Sequence, residues 1–181
     1  MIRKISGLNN YVVNEVVHQG EYSKAIFSES TNTVRVLTVR WNEQELFIPA
    51  TVHRFGANGL RVDNWSQGGL CSSIDLETGV LGAAVRHPAN SNWKMEWHDK
   101  HPDSQNPIKG VKIPYWRNIC STLIGLAESH GFRYVGWDVI VGNEGFWILE
   151  GNAFSDLNLF QVHVPLLKSP QMRAFMNSVA G

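Results

Sequence analysis

Apolar residues recur at every second position through the stretch Tyr134 to Val141. Val135, Trp137, Val139 and Val141 alternate with Gly136, Asp138, Ile140 and Gly142. A period of two, rich in β-branched and aromatic residues, predicts a strand. Asn143-Glu144-Gly145 supplies turn residues, and Phe146 to Leu149 begins a second apolar run, so the segment predicts a β-hairpin. Asn32 to Val39 and Leu46 to Arg54 repeat the pattern around a turn at Trp41 to Gln44, predicting an antiparallel hairpin of 33–41 with 45–54. Leu70 to Val85 predicts another, turning at Asp75 to Gly79. Tyr11 to Val17, an apolar run broken by Asn14 and Glu15, also reads as a strand.

Helical spacing is rarer. Tyr22, Ala25 and Ile26 predict a short helix within 18–30. Pro114 opens a longer one, where Trp116, Ile119, Cys120, Leu123, Ile124 and Ala127 recur at three and four until His130. Gly131 suits its left-handed end. Ser169-Pro170 begins a last helix to Val179, with Met172, Phe175 and Met176 facing inward. Residues 56–69 hold Gly, Asn and Ser and read as a loop, and Arg86 to Pro114 is irregular. The pattern predicts an α+β fold, a largely antiparallel sheet with flanking helices, as a single domain over 1–181.

Composition narrows the function. A chain of 181 residues with 43% hydrophobic content can bury a core. Sixteen basic and sixteen acidic residues cancel, which argues against a nucleic acid or a charged membrane surface as partner. Cys71 and Cys120 form no CxxC and no disulfide framework, so a reducing, cytoplasmic setting is expected. Neither a signal peptide nor a transmembrane run is read. The seven tryptophans are expected mostly in the core or along a cleft.

The chemistry gathers in the hairpin. Glu150 and Asn152, two apart, share a strand face, and a turn centred on 143–145 sets Asp138 opposite Glu150. An acidic residue in a strand is commonly a solvated one, and Glu-Gly-Asn can be a plain turn. Two carboxylates and an amide oxygen among apolar strands instead suit a hard divalent ion such as Mg²⁺, because adjacent carboxylates need a compensating cation. Arg35, between Val34 and Val36, must reach solvent, a carboxylate or a phosphate; its planar fork suits the last two. His98 and His101 lie three apart, but a tetrahedral zinc site would need a better-placed third ligand.

Gly136-Trp137-Asp138 followed by Glu150-Gly151-Asn152 resembles the metal-binding end of the ATP-grasp superfamily, most closely the sugar-transfer-associated proteins related to α-L-glutamate ligases. The resemblance runs from Tyr11 to Met176. It implies an ATP-grasp C-terminal subdomain using ATP and Mg²⁺, with Asp138, Glu150 and Asn152 as metal ligands. It places Glu15, Val16 and Val17 along the adenine, and Arg35 and Arg54 on the phosphates as catalytic cations. It puts Asn64, Gly68 and Gly69 over the phosphates and implies a small-molecule carboxylate substrate. The reaction expected is carboxylate–amine or carboxylate–thiol ligation through an acylphosphate, near surface polysaccharide synthesis. The alternatives are an ATP-grasp kinase and a non-catalytic module acting in binding or assembly. About ten residues precede the hinge-like strand, so the chain corresponds to half a cleft. A fragment, a homo-oligomer or a partner chain supplying the other half, or a loss of catalysis would each account for that.

Overall fold

The computed structural model describes residues 15–42 and 44–180. Seven strands form one sheet: β1 (Val34–Arg40), β2 (Leu46–Phe55), β3 (Leu70–Ile74), β4 (Leu81–Arg86), β5 (Trp97–His98), β6 (Tyr134–Val141) and β7 (Phe146–Asn152). Their order is β5-β4-β3-β2-β1-β6-β7 and every pair is antiparallel. Helices α1 (Glu21–Ile26), α2 (Trp116–His130), α3 (Asn158–Gln161) and α4 (Pro170–Ala180) flank it. The three predicted hairpins are β1–β2, β3–β4 and β6–β7. The α+β class follows directly.

Alternation along the strands divides the core into two layers. On one face Val34, Val36, Phe55, Leu70, Val135, Trp137 and Val139 pack against Trp116, Ile119, Leu123 and Ala127 of α2. On the other, Leu37, Val39, Val52, Cys71 and Val85 pack against Trp65, Leu159, Phe160, Met172 and Phe175. α2 ends at Gly131 in the left-handed conformation, φ 68°, which costs a glycine little.

Arg35, Arg54 and Asp138 occupy the alternate positions that face the second layer. β1 joins β6 with Arg35 directly opposite Asp138. In the β6–β7 ladder Asp138 pairs with Glu150, whereas Val139 pairs with Ile148. Leu149 is therefore the extra residue of a bulge. Such a bulge re-aims the side chains after it, here Glu150 and Asn152.

Two expectations change. Of the Tyr11 to Val17 strand, residues 11–14 lie outside the described residues, and Glu15, Val16 and Val17 have no regular secondary structure. The segment meets the sheet where the Gly20 N–H donates to the Val141 carbonyl at 2.8 Å. β-branched residues make a strand only where a ladder partner exists, and none of the described residues provides one at 15–17. The tryptophans also divide: Trp65, Trp116 and Trp137 are buried, whereas Trp93, Trp97 and Trp147 are exposed.

His53 is fully buried. Its Nδ1–H donates to the Arg54 carbonyl at 3.2 Å, so Nε2 accepts from the Tyr22 hydroxyl at 2.9 Å. Burial pushes its pKa down to about 3. His98 and His101 are lowered for the same first reason, and His163 falls to about 4. Between pH 6.5 and these values the unfolded chain binds more protons than the folded one, so stability falls on acidification. Chemical denaturation is expected to show a loss of about 2 kcal/mol from His53 alone between pH 7 and pH 5. Equal or greater stability at pH 5 would contradict a neutral, buried His53.

Candidate functional site

The site is built from its charges outward. Asp138 is 4% exposed and sits mid-strand in β6. Arg35 grips it bidentately: Nε donates to Oδ1, and Nη2 donates to Oδ2 at 2.5 Å. Arg54, from β2, donates from Nη2 to the same Oδ2 at 3.0 Å. Burial works against the Arg35 charge, but the Asp138 hydrogen bonds and charge outweigh it, with Glu150 and Asp63 adding, so its pKa stands above the ordinary value. Two guanidinium groups thus surround one buried carboxylate. A bidentate fork of this kind is geometrically specific.

Arg54 is held from its other side. Its Nε and Nη2 donate to Thr33 Oγ1 at 3.0 and 2.5 Å, and its Nε lies 3.5 Å from Asp63 Oδ2. Asp63 belongs to the 56–69 loop. Two residues on, the Trp65 indole N–H donates to the Val85 carbonyl at 3.0 Å. The exposed Asn64 is strung between these two anchors.

Arg35, Arg54, Asn64, Trp65, Ser66, Asp156 and Leu159 line a cleft of about 200 Å³. Three residues singled out from sequence, Arg35, Arg54 and Asn64, therefore meet in one concavity. Glu150 and Asn152 are not among the lining residues. Glu150 is exposed, and the Asn152 amide donates to its Oε1 at 3.0 Å.

Gly68 and Gly69 sit elsewhere. Gly68 has φ 113°, a conformation that disfavours a side chain, and its N–H closes a turn onto the Trp65 carbonyl. The Gly69 N–H donates to the Asn64 carbonyl, and a Cβ there would press on the Phe55 carbonyl at 2.7 Å. Both shape the loop from within. Glu15 and Val16 are exposed and Val17 half-buried; Gly20, three residues on, bonds to Val141, which lies three residues beyond Asp138, roughly 10 Å along the strand. His101 is buried, its Nε2–H donating to the Gly56 carbonyl at 2.7 Å. No cluster of three or more His, Cys, Asp or Glu is placed to hold a metal among the described residues.

Sequence reasoning missed Thr33 and Asp156. Thr33 precedes β1 and carries no pattern of its own. Asp156 lies in the loop after β7. That loop is pinned because the Tyr134 hydroxyl donates to the Ser155 carbonyl at 2.5 Å, and Ser155 sits on Gly136, where no side chain would fit. Ser155 Oγ is buried without a hydrogen-bond partner among the described residues. Cys71 and His163 lie 3.1 Å apart behind Arg54, but burial raises the thiol pKa and lowers the imidazole, so this pair stays neutral.

Arg35, Arg54 and Asp138 thus gather on one face of an antiparallel sheet. A family model described as sugar-transfer associated ATP-grasp matches residues 4–169. The chain belongs to that family, and is an ATP-grasp, ATP-binding domain. No match was found among curated proteins. Among the described residues no helix is long and apolar enough to cross a membrane.

Removing one partner from a buried ion pair leaves the other uncompensated. Asp138→Asn should therefore destabilise the fold by about 3 kcal/mol, whereas Glu150→Gln should change it by less than about 0.5 kcal/mol. Urea denaturation of the two variants checks this. Equal stability would show that Asp138 is not the keystone of the arginine pair.

Proposed function

We propose that this domain binds Mg²⁺-ATP and serves an ATP-dependent carboxylate–amine or carboxylate–thiol ligase. The observation that carries the reading is the convergence of Arg35, Arg54 and Asn64 on one cleft beside the Asp138–Glu150 pair of the β6–β7 ladder. Arginine forks suit phosphate oxyanions, and the carboxylate pair suits a hard cation.

The donor set fits Mg²⁺ by chemistry and by register. Glu150 and Asn152 are the accessible oxygen donors, and Asp138 lies across the ladder from Glu150. Asp138 already accepts three donors, against about four lone-pair directions on a carboxylate. That leaves about one direction for the cation with Arg35 and Arg54 held in place. When bound, the cation supplies charge neutralisation on the phosphates and orients the γ-phosphoryl group.

The chain's own residues then position and neutralise. Arg35 and Arg54 hold the phosphate oxygens, and Asn64 lies over them as a neutral donor. In the proposed reaction a substrate carboxylate oxygen attacks the γ-phosphorus, the bond to the β-phosphate bridging oxygen breaks, and ADP leaves. The amine or thiol attacks the acyl carbon, and inorganic phosphate departs. No protein nucleophile is required, and the neutral Cys71–His163 pair supplies none.

The cleft volume favours a further component. About 200 Å³ lies below the roughly 300–1,000 Å³ of a typical ligand pocket. A second half-cleft, from an upstream segment or another chain, would close over this sheet face and complete the adenine side, along Glu15, Val16 and Val17. The family description, sugar-transfer associated, is compatible with a role in polysaccharide or cell-surface synthesis.

Calorimetric titration of Mg²⁺-ATP tests the reading. Saturable binding is expected in the wild type, with about tenfold or greater weakening in Arg54→Gln and Glu150→Gln. Binding that survives both changes would sink it. With substrates added, ADP release that depends on both a carboxylate and an amine or thiol marks a ligase, and release without the nucleophile marks a kinase instead.

A further inference from the structure

We infer that Asp63 is the positioning residue of the anion site: it fixes the direction of the Thr33 hydroxyl and, through it, the guanidinium of Arg54. The inference rests on the reading of Arg54 as a phosphate-binding cation.

A hydroxyl carries one hydrogen. The Thr33 hydroxyl donates it to Asp63 Oδ2 at 2.5 Å. Its lone pairs must then face the two Arg54 donors, Nη2 at 2.5 Å and Nε at 3.0 Å. Asp63 thus decides which way Thr33 is polarised. With an amide at 63 presenting its N–H₂, the hydroxyl would have to turn and offer a hydrogen toward a cation. The same Asp63 oxygen also accepts the Thr33 backbone N–H at 2.8 Å, which joins the 56–69 loop to the start of β1.

The Asp63 and Arg54 side chains are 14% and 13% exposed, so solvent screens the pair weakly. The effect is directional. Nε and Nη2 are engaged by Thr33, Asp63 and Asp138, and among the described residues Nη1 is engaged by none of them. Arg54 lines the cleft beside Arg35 with that edge still available. The next residue, Asn64, also lines the cleft, so one anchor orients the cation and presents the amide. Asp63 itself need not touch the ligand.

The test measures binding of sodium tripolyphosphate and of Mg²⁺-ATP to the wild type, Asp63→Asn, Thr33→Val, Thr33→Ser, Arg54→Lys and the Asp63→Asn/Arg54→Lys double variant. Asp63→Asn and Thr33→Val should each weaken tripolyphosphate binding about tenfold, whereas Thr33→Ser, which keeps the hydroxyl, should bind as the wild type does. The double variant should bind no more weakly than Arg54→Lys alone, because Asp63 acts through Arg54. If Asp63→Asn fails to fold, the valine–serine pair at 33 carries the comparison. Independent, multiplying losses, wild-type affinity in Thr33→Val, or no tripolyphosphate binding by the wild type would each overturn the inference. Tripolyphosphate binding with the predicted pattern but no ATP binding would leave the inference standing and remove the nucleotide reading.

Discussion

A carboxylate in the middle of a sheet has to be compensated, and Asp138 is compensated twice. Taking a charge out of water costs several kcal/mol, and only close, well-shaped partners recover it. Arg35 approaches from β1 and Arg54 from β2, so three strands converge on one side chain. That requirement explains why the second face of the sheet departs from an apolar surface at this level. Leu37, Val39 and Val52 on the same face stay in the core, whereas Arg35 and Arg54 point toward a rim left open between Trp65 and the loop after β7. The charges persist because they compensate one another, while Glu150 and Asn64 at the edge remain exposed.

The network extends beyond the ion pair. Asp63 ties a loop to the centre through Thr33 and Arg54, Trp65 ties the same loop to β4, and Tyr134 ties the following loop over Gly136. Each anchor is a hydrogen bond between a loop residue and one inside or beside a strand. Loops hung from such anchors can present functional groups with precision that free loops lack. An anion on the free edge of Arg54 and a cation beside Asp138 would favour each other by reciprocal coupling.

Much of this was legible in the sequence, for physical reasons. A period of two with a short turn sets the hairpin to within one residue, and the Leu149 bulge is what brings Glu150 opposite Asp138. Helical spacing and the left-handed glycine gave α2 and its end at Gly131. Strand neighbours distant in sequence were not legible: Arg35 meets Asp138 from 103 positions away, and no pattern announces which strand lies beside β6. Asp156 was hidden because loops have no period, and Thr33 because strand spacing does not say which side chains a hydroxyl meets. Nor does any pattern announce that Asp63, inside the 56–69 loop, turns toward Thr33. Propensity misled at Glu15 to Val17, where β-branched residues found no ladder among the described residues. At Gly68 and Gly69 the backbone freedom serves the loop's own turn.

On this reading, phosphate and cation meet at the Asp138–Arg35–Arg54 centre. A crystal structure with a non-hydrolysable ATP analogue and Mn²⁺ tests it most directly, since Mn²⁺ is located by its anomalous scattering. Mn²⁺ is expected at a Glu150 carboxylate oxygen, roughly 2.2 Å away, with the free edge of Arg54 on a phosphate oxygen. Nucleotide bound elsewhere on the domain, with neither arginine on a phosphate, would contradict it.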